Sequence, residues 1–239
     1  MARARYFQHL RAVEIASTFL QLPRRSTLER WRRDIPPQTQ LSVSAWRPLT
    51  HPCASGILPR LRPRISRDRM LRYGHFRSTP EVREAWSLFG EALELLRPNF
   101  VLFRTPATFY PGADPLRDMY RFFKDLRRGG ASFVWMPDGK WEARMIRQIC
   151  RDLNLIHGTD PLAGAGECGG VHYFRLAGRT RYDRTCSYTD DELRTVYDRC
   201  AGKAAYVFFA THAMWKDAQR FQALVDRGGR RDVRHRGRV

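Results

Sequence analysis

Apolar residues along this chain fall into short continuous runs, separated by longer stretches in which they recur every third or fourth position. The first pattern reads as strand and the second as amphipathic helix. Strands are predicted at Ala12–Ser17 (A-V-E-I-A-S), Gln40–Ala45, Phe100–Phe103, Ser132–Met136, Asn154–His157, Val171–Leu176 and Ala205–Phe209. Between them, a Ser26/Glu29 capping box opens a helix over Ser26–Arg33. Thr79 and Pro80 open another over Glu81–Leu96, with Val82, Ala85, Trp86, Phe89 and Leu93 on one face. Further helices run from Asp114-Pro115 to Gly129-Gly130, over Trp141–Asp152, from a Thr189/Glu192 capping box to Cys200, and over Met214–Val225. Strand and helix alternate, and the strands are apolar almost throughout. That combination predicts a parallel sheet covered by helices. Two stretches break the rhythm, the Arg/Pro-rich segment 47–78 and the Gly-rich segment 158–170. After residue 225 the chain (D-R-G-G-R-R-D-V-R-H-R-G-R-V) has almost no apolar content, which predicts a disordered basic tail over 226–239.

Composition narrows the class. Hydrophobic residues make up 43% of the 239, enough for a folded core over 1–225 as a single domain. No apolar run approaches the roughly 20 residues that span a bilayer. The basic start is followed by Glu14 and by no small-residue cleavage site, so neither a signal peptide nor membrane attachment is expected. Five cysteines without a C-x-x-C pair read as reduced thiols in a cytoplasmic protein. The net charge is +19, and 39 of the 43 basic residues are arginine. It is concentrated in residues 1–33, 47–83 and 226–239, whereas 84–225 carries only +3. A field of this kind favours nucleic acid or a phosphorylated ligand as partner. A GC-rich genome would produce the same arginine excess without any such partner.

Gly164–Gly169 spells G-x-G-x-x-G, but a loop precedes it and a strand follows it. A dinucleotide site needs strand before and helix after, so the segment reads as a loop. Glu14 carries more information. In its strand Val13 and Ile15 face the helices, which turns Glu14 and Ala16 to the opposite, interior face. An interior carboxylate needs a partner, and Arg175, sharing a face with Tyr173, is the expected one. The pair reads equally as a structural ion pair or as part of a ligand site. His51, His157 and His212 follow strands, where parallel sheets build their sites. His51 in L-T-H-P is the strongest candidate. No H-x-x-x-H or H-E-x-x-H spacing occurs, so no metal site is expected.

The ordered series V-E-I-A-S-T-F-L-Q-L-P, T-L-E-R-W (27–31), L-S-V-S-A-W-R-P-L-T-H (41–51) and V-L-F-R-T-P (101–106) resembles the YecE-like family, domain of unknown function 72. The resemblance continues through V-W-M-P-D-G-K-W (134–141), L-N-L-I-H-G-T-D-P (153–161), Y-F-R-L-A-G (173–178), Y-T-D-D-E-L (188–193) and Y-V-F-F-A-T (206–211), and in its second half is most similar to archaeal members. It implies a TIM-like β/α barrel with an Arg-rich insertion at 47–78, and no reaction. The family's first strand, with its G-T-S-G-W-like segment, has no counterpart, so either the barrel is incomplete or the start is placed late. The family's polar residues are replaced at Ala16, Ser44, Arg104, Met136, Asp138, Ala177 and Ala210-Thr211, while Glu14, Thr50, His51, Asp160 and Arg175 are kept.

These readings converge on a site at the strand C-termini of an enzyme or former enzyme acting on a phosphate-containing, nucleic-acid-related substrate. Glu14 and His51 are the acid/base candidates. Thr50 and Asp160 are ligand-binding candidates, and Arg104 and Arg175 the anion clamps. A non-catalytic nucleic-acid-binding protein using insertion and tail, or a degenerate structural barrel, are the alternatives. Neither cofactor nor oligomeric state is legible.

Overall fold

The computed structural model describes residues 3–53, 65–66, 68–164, 166–178 and 185–236. Each predicted strand forms: β1 (Ala12–Ile15), β2 (Gln40–Ser44), β3 (Phe100–Thr105), β4 (Ser132–Pro137), β5 (Ile156–Thr159), β6 (His172–Leu176) and β7 (Ala205–Phe209). They form one seven-stranded sheet in chain order, and the pairs β2–β3, β3–β4, β4–β5 and β6–β7 are parallel. With helices between the strands, this is an α/β, TIM-like barrel fold. The chain divides into two compact units: a larger one of residues 13–158 and 167–169, and a smaller one of 1–12, 159–166 and 170–239.

In the larger unit, β3 and β4 pair over their whole length, from Phe100↔Ser132 to Thr105↔Pro137. Phe103 and Phe133 therefore share a face and meet at 5.2 Å between ring centroids. Onto that face fold Trp86 and Phe89 of α4 (Pro80–Leu96) and Phe122 and Phe123 of α5 (Ala113–Lys124). Phe89, Phe103, Phe123 and Phe133 are buried, so this aromatic layer is the main apolar core of the unit. On the opposite face the register sets Ser44 beside Leu102, and two residues further along β3 stands Arg104. The α4 N-terminus is closed by Thr79, whose Oγ1 accepts the Val82 N–H at 3.3 Å, with Pro80 in the first turn.

Several helix boundaries differ from the pattern reading, most informatively in α2 and α5. The helix α2 (Arg25–Asp34) starts one residue earlier, and no side chain caps it. Glu29 is instead engaged by Arg25 Nε at 2.8 Å, so the Ser26/Glu29 capping box does not form. The helix α5 ends at Lys124 rather than at Gly129, because Arg128 is drawn aside. Its guanidinium donates to the carbonyls of Leu153 and Asn154 and covers the Phe133 ring at 4.7 Å. A short helix α3 (Arg47–Thr50) follows β2, and α6 (Ala143–Asp152) precedes β5. Of the Arg/Pro-rich segment 47–78, residues 54–64 and 67 lie outside the described residues.

In the smaller unit, Leu176 of β6 and Val207 and Phe209 of β7 pack on Leu193 and Val196 of α7 (Asp190–Arg199) and Phe221 of α8 (Met214–Arg236). The Thr189/Glu192 capping box is complete in both directions. Asp217 is fully buried and holds α8 in place, accepting from Ser187 Oγ at 2.7 Å, the Tyr188 N–H at 3.1 Å and Arg220 at 3.0 Å. The tail, expected to be disordered from Asp226, continues α8 as helix to Arg236. Gly228 permits this crossing, since a Cβ there would stand 1.9 Å from the Tyr197 hydroxyl. The helix α1 (Arg3–His9) has no counterpart among the expected elements. Tyr6 secures it by donating to the Ala12 carbonyl at 2.8 Å and lying 5.8 Å from the Trp215 ring.

Candidate functional site

The strand C-termini of β1, β2 and β3 in the larger unit bring together four of the six candidate residues. Glu14 takes the face expected from strand alternation. Its Oε1 accepts from Ser44 Oγ at 2.9 Å, across from β1 to β2 and on the face that β2 shares with Leu102. The fully buried Thr18 then ties the two strand ends together. Its hydroxyl donates to the Ser44 carbonyl at 2.6 Å and lies 3.0 Å from the Ile15 carbonyl. Where the family resemblance implies a lysine at position 44, Glu14 here meets a neutral hydroxyl. The bond orients the carboxylate.

Phe19, in a short 3-10 turn after β1, is the centre of the second part. The Arg104 guanidinium lies 4.2 Å from its ring centroid and that of Arg47 lies 5.5 Å away. Both are within the roughly 6 Å at which a cation is attracted to an aromatic face. The His51 ring meets the same phenyl edge-on, at 5.1 Å and 83°. His51 closes the C-terminus of α3, and its Nδ1 is 2.9 Å from Thr50 Oγ1. Thr50 is fully buried, so this contact fixes the orientation of the imidazole ring. Two planar guanidinium forks, one carboxylate and one imidazole thus gather at adjacent strand ends, where parallel β/α folds build their sites. Arginine forks match the oxygen pairs of phosphate groups.

Asp160 and Arg175 belong to the smaller unit. Arg175 is buried and alternates with Leu176 along β6, which places it with Tyr173 on the face away from α7 and α8. Tyr173 packs on Phe208 at 4.9 Å. Asp160 builds a turn after β5: its Oδ1 accepts the Leu162 N–H at 2.9 Å, and its carbonyl accepts from Ala163 and Gly164. Burial pushes its carboxyl above the usual range, and nearby Glu192 pushes the same way, against the Leu162 N–H. Tyr188, buried close by, accepts the Gly178 N–H at 2.9 Å and is pushed up to about 12 by burial.

The other histidines separate from the site. His157 lies inside β5 rather than after it, and its register beside Trp135 turns it to the helix-facing side. There its Nδ1 accepts the Glu167 N–H at 3.1 Å. Burial lowers it to about 4, so it is a neutral core histidine. His212 is exposed beyond β7. The Gly164–Gly169 stretch is followed by β6 and not by a helix.

Phe19, Arg47 and Thr18 were not among the sequence candidates. The tripeptide W-R-P directly after β2 was the available signal for Arg47. For Phe19 and Thr18 there was none, because their roles depend on contacts with β2 and β3.

The comparisons agree on one family. The family model described as "Protein of unknown function DUF72" matches residues 3–236. A DUF72 family protein from Thermotoga maritima superposes with a TM-score of 0.63 at 15% identity, covering 90% of this chain and 85% of that one. One from Enterococcus faecalis superposes with 0.64 at 15% identity, covering 94% and 93%. No curated protein matches the sequence.

Proposed function

We propose, from the premise that the chain belongs to the DUF72 family of proteins of unknown function, that the strand-end site of its larger unit binds a phosphate-bearing ligand. Arg47 and Arg104 form the anion clamp. Glu14 and His51 are the two groups able to exchange protons beside it, with Thr50 positioning His51. The observation that carries this reading is the convergence of both guanidinium groups on Phe19, next to a carboxylate held by Ser44. It rests on the larger unit alone. Nucleic acid is one source of the phosphate, in keeping with the +19 charge. A reducing cytoplasmic setting fits the five cysteines, none of them in a disulfide, and no helix among the described residues is long and apolar enough to cross a membrane.

Titration calorimetry tests this with a 5′-nucleoside monophosphate, the matching unphosphorylated nucleoside and a short oligothymidylate. The phosphorylated probes should bind and the nucleoside should not. Oligothymidylate affinity falling steeply with salt would identify a polyanion as the partner. Equal binding of nucleoside and monophosphate sinks the reading.

The Ser44–Glu14 hydrogen bond favours a second reading, in which Glu14 only ties β1 to β2 inside a barrel that has lost its chemistry. In that case no phosphorylated probe binds, and Glu14→Gln leaves every measured property but stability unchanged.

A further inference from the structure

On the outer side of the larger unit, a groove of about 1300 Å³ runs between α4 and α5. It exceeds the roughly 300–1,000 Å³ of small-molecule pockets and borders α4 from Val82 to Arg97, a length of about 20 Å at 1.5 Å per residue. Its floor is apolar. Trp86 and Phe122 are both half-buried and meet edge to face at 5.7 Å.

Gly90 forms part of the α4 wall. A mid-helix glycine costs about 1 kcal/mol against alanine, yet a Cβ there would meet nothing within 4 Å. The chain's own packing therefore does not call for glycine at this position. What the missing side chain provides is access from outside.

The rim is charged with both signs. Arg83, Arg97, Arg121 and Arg127 are exposed and make no ion pair among the described residues. Glu91, Glu94 and Asp125 stand between them, exposed as well. A nucleic acid would satisfy the arginines but bring only negative charge to the three carboxylates. An amphipathic helix satisfies all parts at once. Its apolar stripe covers Trp86 and Phe122, its backbone approaches over Gly90, an excess of acidic residues meets the arginines, and a few basic ones meet the carboxylates.

We propose that the α4–α5 groove is a docking site for an amphipathic, net-acidic helix of a partner protein. This goes beyond the phosphate reading and does not depend on it.

The test selects from a phage-displayed library of roughly 18-residue amphipathic helices, about five turns long, on the full chain. The apolar stripe is fixed and the flanks are randomised among Glu, Lys and Gln. Net-acidic helices should be enriched. Gly90→Leu should weaken their binding by about tenfold or more while leaving thermal stability equal or higher, because the new side chain enters open space. Arg121→Glu should weaken it several-fold and provides the same readout should Gly90→Leu fail to fold. The proposal is overturned if no helix is enriched, if net-basic helices win, or if neither substitution matters. It is also overturned if oligothymidylate binds and Gly90→Leu abolishes that binding, which would make the groove a nucleic-acid site.

Discussion

The guanidinium carbon of Arg104 lies 4.2 Å from the centroid of the Phe19 ring, joining the end of β3 to the turn after β1. A contact of this kind contributes about 0.5–2 kcal/mol. Phe19→Leu keeps an apolar side chain but removes the aromatic face, so it should lower stability by about that amount and loosen Arg104. Phe19→Tyr should retain both. Urea unfolding of the two variants provides the comparison, and equal losses would show that only the packing of Phe19 matters.

Ser44 donates to Glu14 at 2.9 Å, and an amide oxygen can accept that bond as well as a carboxylate can. Glu14→Gln should therefore unfold within about 1 kcal/mol of wild type, while Ser44→Ala should cost about 1.5–3 kcal/mol, the range for losing a hydrogen bond to a charged group. If Glu14→Gln is the more damaging change, the negative charge itself is structural.

Asp217 is fully buried with three donors around it. Asp217→Ala leaves the Tyr188 N–H and Ser187 Oγ without their acceptor, while Arg220 keeps Asp190 and the Tyr188 carbonyl, and should cost about 1–3 kcal/mol. Asp217→Asn keeps one acceptor oxygen and should cost less. Chemical denaturation followed through Trp215 on α8 checks the order.

His157 is held neutral by burial, with its value lowered to about 4 from the usual 6.5. The unfolded chain thus binds the extra proton first as pH falls. Its contribution is complete above about pH 6.5 and is lost as pH drops toward and through 4. At pH 4.5 the loss amounts to about 2–3 kcal/mol. His157→Asn can still accept the Glu167 N–H and should flatten the stability profile between pH 7 and 4.5 by that much. An unchanged slope would place the acid sensitivity elsewhere, for example at His75, which burial also lowers to about 4.

The strands were legible because each is a local apolar run; Ala205–Phe209 matches to the residue. Strand alternation alone also identified the interior face of Glu14. What the pattern could not carry was long-range. Helix α5 stops early because Arg128 reaches carbonyls beyond the next helix, and the aromatic anchor Phe19 matters only once β3 brings Arg104 over it. His157 shows the cost of a small boundary shift. With the strand ending two residues later than the pattern suggested, a candidate strand-end base becomes a core residue. Ser44 stood out only as a departure from the family pattern, and it donates a hydrogen bond to Glu14.

The phosphate reading stands or falls on the two arginines at Phe19. The decisive measurement is titration of a 5′-nucleoside monophosphate into wild type, Arg47→Gln, Arg104→Gln and, as a control for lost charge, Arg25→Gln. Arg25 lies on the exposed surface of α2, paired with Glu29. The account predicts that Arg47→Gln and Arg104→Gln each weaken binding by about tenfold or more, equivalent to at least ~1.4 kcal/mol, while Arg25→Gln binds as wild type does. Equal weakening in all three variants, or no change at Arg104, would contradict it.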